Sequence, residues 1–170
     1  MNTMKSLVLG AALAFTPVAT VAVADAISDI NVSADFSAAQ GANALDFWPN
    51  LETDLQARLA QKLADRMGSN GARLQVIVND VSVDGSAILT ADGAFNSLSG
   101  GVFLYPAPEA DGTRQTPFTT SVTVVGVPDL PAELPAEGPA YLILPSDATV
   151  YDVMIDRFAE VVSERLPSSM

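Results

Sequence analysis

From Ile30 the chain alternates. Ile30, Val32, Ala34 and Phe36 are apolar, and Asn31, Ser33, Asp35 and Ser37 between and after them are polar. A period of two marks a strand with one buried face. The period then changes. After a loop of small residues, Ala38 to Ala44, and an aromatic entry at Phe47-Trp48-Pro49, Leu51, Leu55, Leu59, Leu63 and Met67 recur at every fourth position. That spacing puts them on one stripe of a helix, with Ala57, Ala60 and Ala64 beside it. Asn50 is placed to cap the helix, and Glu52 and Asp54 lie where negative charge meets its positive end. Lys62 and Arg66 come near the last turn, and Gly68 is placed as a C′ residue of positive φ. The stripe reads as packing on the domain's own sheet rather than as a partner-binding face.

Asn70-Gly71 turns the chain into Arg73 to Val83, rich in β-branched residues. Leu74, Val76 and Val78 change phase to Val81 and Val83 around Asn79-Asp80, which predicts a β-bulge or bend there. Asp84-Gly85 and Asp92-Gly93 are turn pairs, with Ala87 to Leu89 pairing back briefly between them. Gly101 to Tyr105 is a short strand ended by Pro106. A polar loop with Asp111-Gly112 leads to a strand over Thr116 to Val127, with Phe118, Thr120 and Val122 on one face. Residues 128–139 repeat Leu-Pro-Ala-Glu and contain Pro128, Pro131, Pro135 and Pro139, the composition of an extended surface loop. Tyr141 to Leu144 is a short buried or edge strand between prolines. Ser146 or Asp147 caps a last helix, Ala148 to Leu166, with Val150, Met154, Phe158, Val161 and Arg165 on one side and Val153, Val162 and Leu166 widening the apolar arc. Pro167 stops it. The order β-α-β-β-β-(β)-α predicts an α+β two-layer sandwich, a small mainly antiparallel sheet with two helices on one face.

Upstream of this domain the pattern is of another kind. Lys5 is followed by an apolar run, Leu7 to Phe15, then a break at Pro17, then Ala22-Val23-Ala24 and Ala24-Asp25-Ala26. A positive end, a short apolar core, a breaker and small residues at alternate positions make up a secretory signal peptide. We therefore expect residues 1–26 to be a signal peptide and 27–170 a single domain in the periplasm or outside the cell, starting at Asp25 or Ile27 according to which site is cut. The uncharged stretch from Ser6 to Ala24 also approaches the roughly 20 residues that cross a bilayer, so an uncleaved membrane attachment is the competing reading. Pro17 and the absence of a following basic cluster favour cleavage.

Composition narrows the chemistry. The net charge is −12, and lysine and arginine are few and scattered, which argues against binding nucleic acid or anionic lipid through a basic face. With no cysteine, no disulfide supports the fold and no lipoprotein-type anchor is expected; cohesion must come from burial. With no histidine, Ser-His-Asp and Cys-His catalysis and nearly all zinc sites are excluded. Paired carboxylates, a Ser-Lys dyad or an oxygen-ligated metal would be left.

None of these is singled out. Asp80, Ser82, Asp84 and Gly85 match the first half of an EF-hand loop, but Ala91 stands where calcium needs its bidentate acid, so the segment reads as a strand entering a hairpin turn. Asp152, Asp156, Glu160 and Glu164 form a row on the last helix, read as a solvated face with Arg157 and Arg165 close enough to pair. Lys62 would have to be the dyad lysine, and its helical phase is a surface one. Gly100-Gly101 leads into a strand rather than a helix and so is no phosphate cradle. The candidate recognition loop is Phe95, Asn96, Leu98, Gly100 and Gly101, a turn-forming Asn between apolar residues and before paired glycines.

No catalytic, cofactor or metal residue is assigned, and no cofactor is expected. The functional expectation is a bacterial cell-envelope protein with a non-catalytic binding or scaffolding role toward an envelope protein or a small molecule. The alternatives are a small carboxylate-dependent hydrolase acting on envelope sugars or peptides, and a homo-oligomer pairing through an exposed sheet edge, either Gly101 to Tyr105 or Tyr141 to Leu144.

Overall fold

The computed structural model describes residues 26–107, 116–127, 138–143 and 150–167. Their elements are β1 (Ile27–Ala34), α1 (Ala44–Phe47), α2 (Leu51–Lys62) with a 3₁₀ turn after it (Ala64–Arg66), β2 (Ala72–Ser82), β3 (Ser97–Tyr105), β4 (Phe118–Val127), β5 (Ala140–Ile143) and α3 (Val150–Arg165). The expected signal peptide up to Asp25, the Asp111-Gly112 loop, most of the proline-rich segment and the cap of the last helix lie outside the described residues.

The five strands form one sheet in sequence order, β1 to β5. The two central pairings, β2 with β3 and β3 with β4, are antiparallel and the longest; the outer pairings, β1 with β2 and β4 with β5, are parallel. A parallel neighbour requires a crossover, and α2 provides it between β1 and β2. The architecture is α+β, with α2 packed over β1 and α3 over β3 and β4, both helices touching each other on the same face of the sheet. That is the two-layer arrangement the order of elements predicts.

Alternation in each strand supplies the floor of the core. Ile30, Val32, Leu74, Val76, Val78, Leu98, Val102, Leu104, Val122 and Val124 all face the helices and are buried. Leu51, Leu55, Leu59 and Leu63 cover them from α2, and Met154, Ile155, Phe158, Val161 and Val162 from α3. The expected change of phase is a real irregularity: the β2–β3 register slips between Val78 and Asp80. Val81, after the slip, then returns to the buried face.

The leucine stripe ends earlier than its spacing implies. Met67 is 43% exposed. After Lys62 the chain tightens into the 3₁₀ turn and Met67 is extended (φ −73°, ψ 134°), bridging to Ile27. Gly68 does not have positive φ; it is small because a Cβ there would stand 2.9 Å from the Cβ of Ala26. The helix has to stop so that the chain can pass against β1 before starting β2. Asn50 precedes α2 without a side-chain cap bond. Asp54 N–H instead donates to the Asn50 carbonyl, and Glu52 reaches β1, accepting from Ala34 N–H at 2.7 Å.

Candidate functional site

Because both helices lie on one face, the other face of the sheet is uncovered among the described residues. Its side chains come from the alternate positions: Asp29 and Asn31 of β1, Arg73, Gln75 and Ile77 of β2, Phe103 and Tyr105 of β3. Register brings them into rows. Asp29 pairs with Arg73 and Arg73 with Tyr105; in the next row Asn31 pairs with Gln75 and Gln75 with Phe103. Phe103 and Tyr105, two apart on the same strand, stack with ring centroids 6.5 Å apart and an interplanar angle of 16°. A Cβ at Gly101 would meet the Phe103 ring at 3.0 Å, so the ring lies over the glycine.

Asp29, Asn31, Arg73, Gln75 and Tyr105, with Leu74 beneath, line a shallow cleft of about 330 Å³. No side-chain hydrogen bond or ion pair engages these five polar groups among the described residues. A carboxylate, two amides, a guanidinium and a phenol thus stand beside an aromatic platform with their hydrogen-bonding capacity free for a ligand. No two of these five groups form a nucleophile–base pair.

Of the residues singled out in the sequence, Gly101 alone reaches this face, beneath the Phe103 ring; the others lie elsewhere. Phe95 and Leu98 are buried in the core, and Gly100 and Gly101 are inside β3, which begins at Ser97. Asn96 is tied to the hairpin turn, its Nδ2 donating to Asp84 Oδ1 at 2.8 Å and its Oδ1 accepting from Asp84 N–H at 3.0 Å. Phe95 packs edge-on against both Trp48 and Tyr151, whose rings stack at 4.2 Å. Trp48 Nε1 donates to the Gly93 carbonyl, and Tyr151 donates its hydroxyl to Asp54 at 2.7 Å. Burial, then the bond to Asp54, pushes the Tyr151 phenol well above its ordinary range, so it stays a neutral donor. This aromatic group joins α1, α2, α3 and the 88–96 segment, and its role is cohesion.

Asp80 to Gly85 is strand and turn. Asp84 (φ 47°) and Gly85 (φ 81°) are both left-handed, and Val83 and Ser86 exchange two backbone hydrogen bonds around them. This is a two-residue hairpin turn of type I′ geometry. The Asp80 carboxylate accepts from the Ser82 hydroxyl at 2.8 Å. Calcium should therefore leave the melting temperature where magnesium at equal ionic strength leaves it. A calcium-selective rise of several degrees, abolished by Asp84→Ala, would contradict this assignment.

The acidic row of α3 is engaged by bases. Arg58 lies 3.7 Å from Asp152 and 3.8 Å from Asp156, Lys62 is 3.1 Å from Asp156, and Arg157 pairs with Glu160 and Glu164. Half-exposed pairs of this kind add little stability, but they set Lys62 against a carboxylate, whereas a dyad lysine needs a desolvated surrounding beside a serine. Arg165 donates to the backbone carbonyls of Ser121 and Gly138. Two carboxyls are pulled below their usual range: Asp35 by the Ser37 hydroxyl and backbone N–H, and Asp92 by the Thr90 hydroxyl and the Ala94 N–H.

Alternation marks the core face of each strand and by itself says nothing of a cleft on the opposite face. The available signal was GVFLY, in which Phe103 and Tyr105 occupy the phase opposite Val102 and Leu104. Large rings on the phase opposite the core of a strand mean either a second covering layer or an aromatic surface.

No protein-family model matches the chain, and no curated protein matches its sequence. Among solved structures, the chain is similar to one from Caulobacter crescentus CB15 described as a "putative lipoprotein". The two are 18% identical, the match covers 80% of this chain and 82% of the other, and the TM-score is 0.34. At that score the likeness lends no argument to fold or function.

Proposed function

We propose that this is an exported bacterial cell-envelope protein with a non-catalytic binding role, carried by the open face of β1, β2 and β3. Export is supported by the order of features in residues 1–26. Binding is supported by one observation above all: Asp29, Asn31, Arg73, Gln75 and Tyr105 share a cleft, and their side chains are unpaired among the described residues. Folding leaves those groups to water, and a polar ligand that matches them would replace the water without breaking any internal bond. Against carboxylate-dependent hydrolysis stands the ion-paired row on α3, whose acids face Arg58, Lys62 and Arg157 rather than one another.

A photo-crosslinking residue at Gln75, in the exported protein, should capture a discrete species in the native periplasm, and Arg73→Ala should suppress it. The same probe at Glu164, on the helical face, should not capture it. Equal capture from both faces, or none at Gln75, would reject the open face as the binding surface.

Self-association is a second reading with its own observation. β5 is an outer strand of only four residues, and its Ile143 is 50% exposed. The other edge considered, Gly101 to Tyr105, is no edge: it lies in β3, paired on both sides. Light scattering coupled to size exclusion would report a dimer, and Ile143→Lys would dissociate it if β5 is the seam.

A further inference from the structure

We propose that the ligand of the open-face cleft is an uncharged glycan, bound through its hydroxyls by the polar rows and through the C–H face of a sugar ring by Phe103 and Tyr105. This rests on the binding reading above and names the class of molecule bound.

The cleft, at about 330 Å³, has the size of a small-molecule site. A stable protein interface instead covers roughly 800 Å² on each partner around a centre depleted of charge. Here the lining is polar on each strand: Asp29 and Asn31 on β1, Arg73 and Gln75 on β2, Tyr105 on β3. Its charges cancel. Arg73 is the one cation among the lining residues, and register sets it directly opposite Asp29. An anion drawn to Arg73 would meet the Asp29 carboxylate beside it, on a chain of net charge −12. A cation drawn to Asp29 would meet Arg73 in the same way. An uncharged ligand meets neither repulsion.

The hydrogen bonds available define the surface of that ligand. Asp29 accepts, Arg73 donates, and Asn31, Gln75 and the Tyr105 hydroxyl do both. Neighbouring hydroxyls on a sugar ring also donate and accept side by side, so a carboxylate, a guanidinium or an amide can engage two of them together. A lipid tail or an apolar peptide would instead desolvate these groups and leave them unpaired. The aromatic pair supplies the other contact. Cε2 and Cζ of Phe103 lie 3.0 and 3.2 Å from where a Gly101 Cβ would stand, so the ring reclines along the strand instead of projecting from it. The Tyr105 ring follows it 6.5 Å away and within 16° of parallel. Rings beside a polar row match a sugar, which is apolar on its C–H face and polar at its rim.

The test is an array of immobilised oligosaccharides probed with the protein exported from its full-length gene. The array carries uncharged chito-, cello- and malto-oligosaccharides beside sulfated and uronic-acid glycans. Binding to at least one uncharged series is the expected result. In calorimetric titration with the trisaccharide of that series, Asp29→Ala and Gln75→Ala should each weaken binding by about tenfold, the loss for removing a hydrogen-bonding partner of this kind. Both side chains lie on the uncovered face, and equal melting temperatures would show that the fold is kept. Gly101→Ala, which moves the Phe103 ring and leaves the polar groups in place, should weaken binding as well. Binding to none of the uncharged glycans, or only to the acidic ones, overturns the proposal. Discrete capture of a protein at Gln75 would then still support the open face as the binding surface. Glycan binding that all three variants leave unchanged would put the sugar elsewhere on the molecule and overturn the proposal too.

Discussion

Leu59→Ala should lower the stability of the domain by about 2–5 kcal/mol in urea unfolding, the range for emptying a buried leucine site that relaxes only in part. Leu59 is wholly buried in the middle of the α2 stripe, between Leu55 and Leu63, which are buried too. α2 lies between β1 and α3, so the cavity would open where three elements meet rather than at a rim that could collapse. Met67→Ala provides the contrast. Met67 continues the same four-residue spacing but has left the helix and stands 43% exposed, so its truncation should cost less than about 0.5 kcal/mol. Similar losses at the two positions would mean that the stripe packs as one continuous helix, contrary to the 3₁₀ turn at Ala64–Arg66.

Gly100→Ala should destabilise by about 1–3 kcal/mol through overpacking, and Gly101→Ala should cost much less. The two neighbours occupy opposite faces of β3. A Cβ on Gly100 would point into the core, 2.8 Å from the Ile77 carbonyl oxygen and 3.1 Å from the Phe158 ring. Backbone and a buried ring can move away from it only by disturbing β2 and α3 together. At Gly101 the obstacle is the Phe103 ring at 3.0 Å on the uncovered face, where the ring is able to swing outward. Parallel urea melts decide this, and a larger loss at Gly101 would place the helices on the wrong side of the sheet. The same pair offers a probe of the open face, because Gly101→Ala should displace Phe103 from its stack with Tyr105 while sparing stability.

Pattern was enough for the layers. Alternation identified β1, β2 and β4, the change of phase at Asn79-Asp80 located the slip in register, and the turn pairs Asp84-Gly85 and Asp92-Gly93 adopt the left-handed glycine conformations those dipeptides favour. These features depend on residues close together in the chain, so short-range sterics and the burial period suffice to specify them. On α3, the arc built on Val150, Met154, Phe158 and Val161 was close, but it missed Tyr151 and Ile155, which are buried. Both lie at helical spacing with Phe158 and Val162; what the spacing does not give is the tyrosine's partners, Trp48 and Asp54, about a hundred residues away.

The candidate site shows the same division. Phe95 to Gly101 drew notice as a loop because its glycines and Asn96 have turn chemistry, and Asn96 does serve a turn, the one at Asp84. The glycines serve packing: strand β3 passes close to the β2 backbone and to Phe158 at Gly100, and beneath the Phe103 ring at Gly101. Local sequence can say that a position needs a glycine. It cannot say whether the reason is a positive φ or a neighbour brought from elsewhere.

The sequence by itself determined the α+β class, the strand and helix order, the buried phase of β1, β2 and most of α2, and the charge and missing residue types that restrict its chemistry. Each follows from hydrophobic period or from composition, which tertiary contacts do not alter. Only the tertiary structure decided which strands are neighbours and in what sense, that α2 must stop before Met67, and that Asp29, Asn31, Arg73, Gln75 and Tyr105 meet. Those outcomes depend on register between residues well separated in the chain, Asp29 with Arg73 and Arg73 with Tyr105 among them. Register is set by how two helices pack on a single face of one sheet, and the polar rows on the opposite face are its consequence.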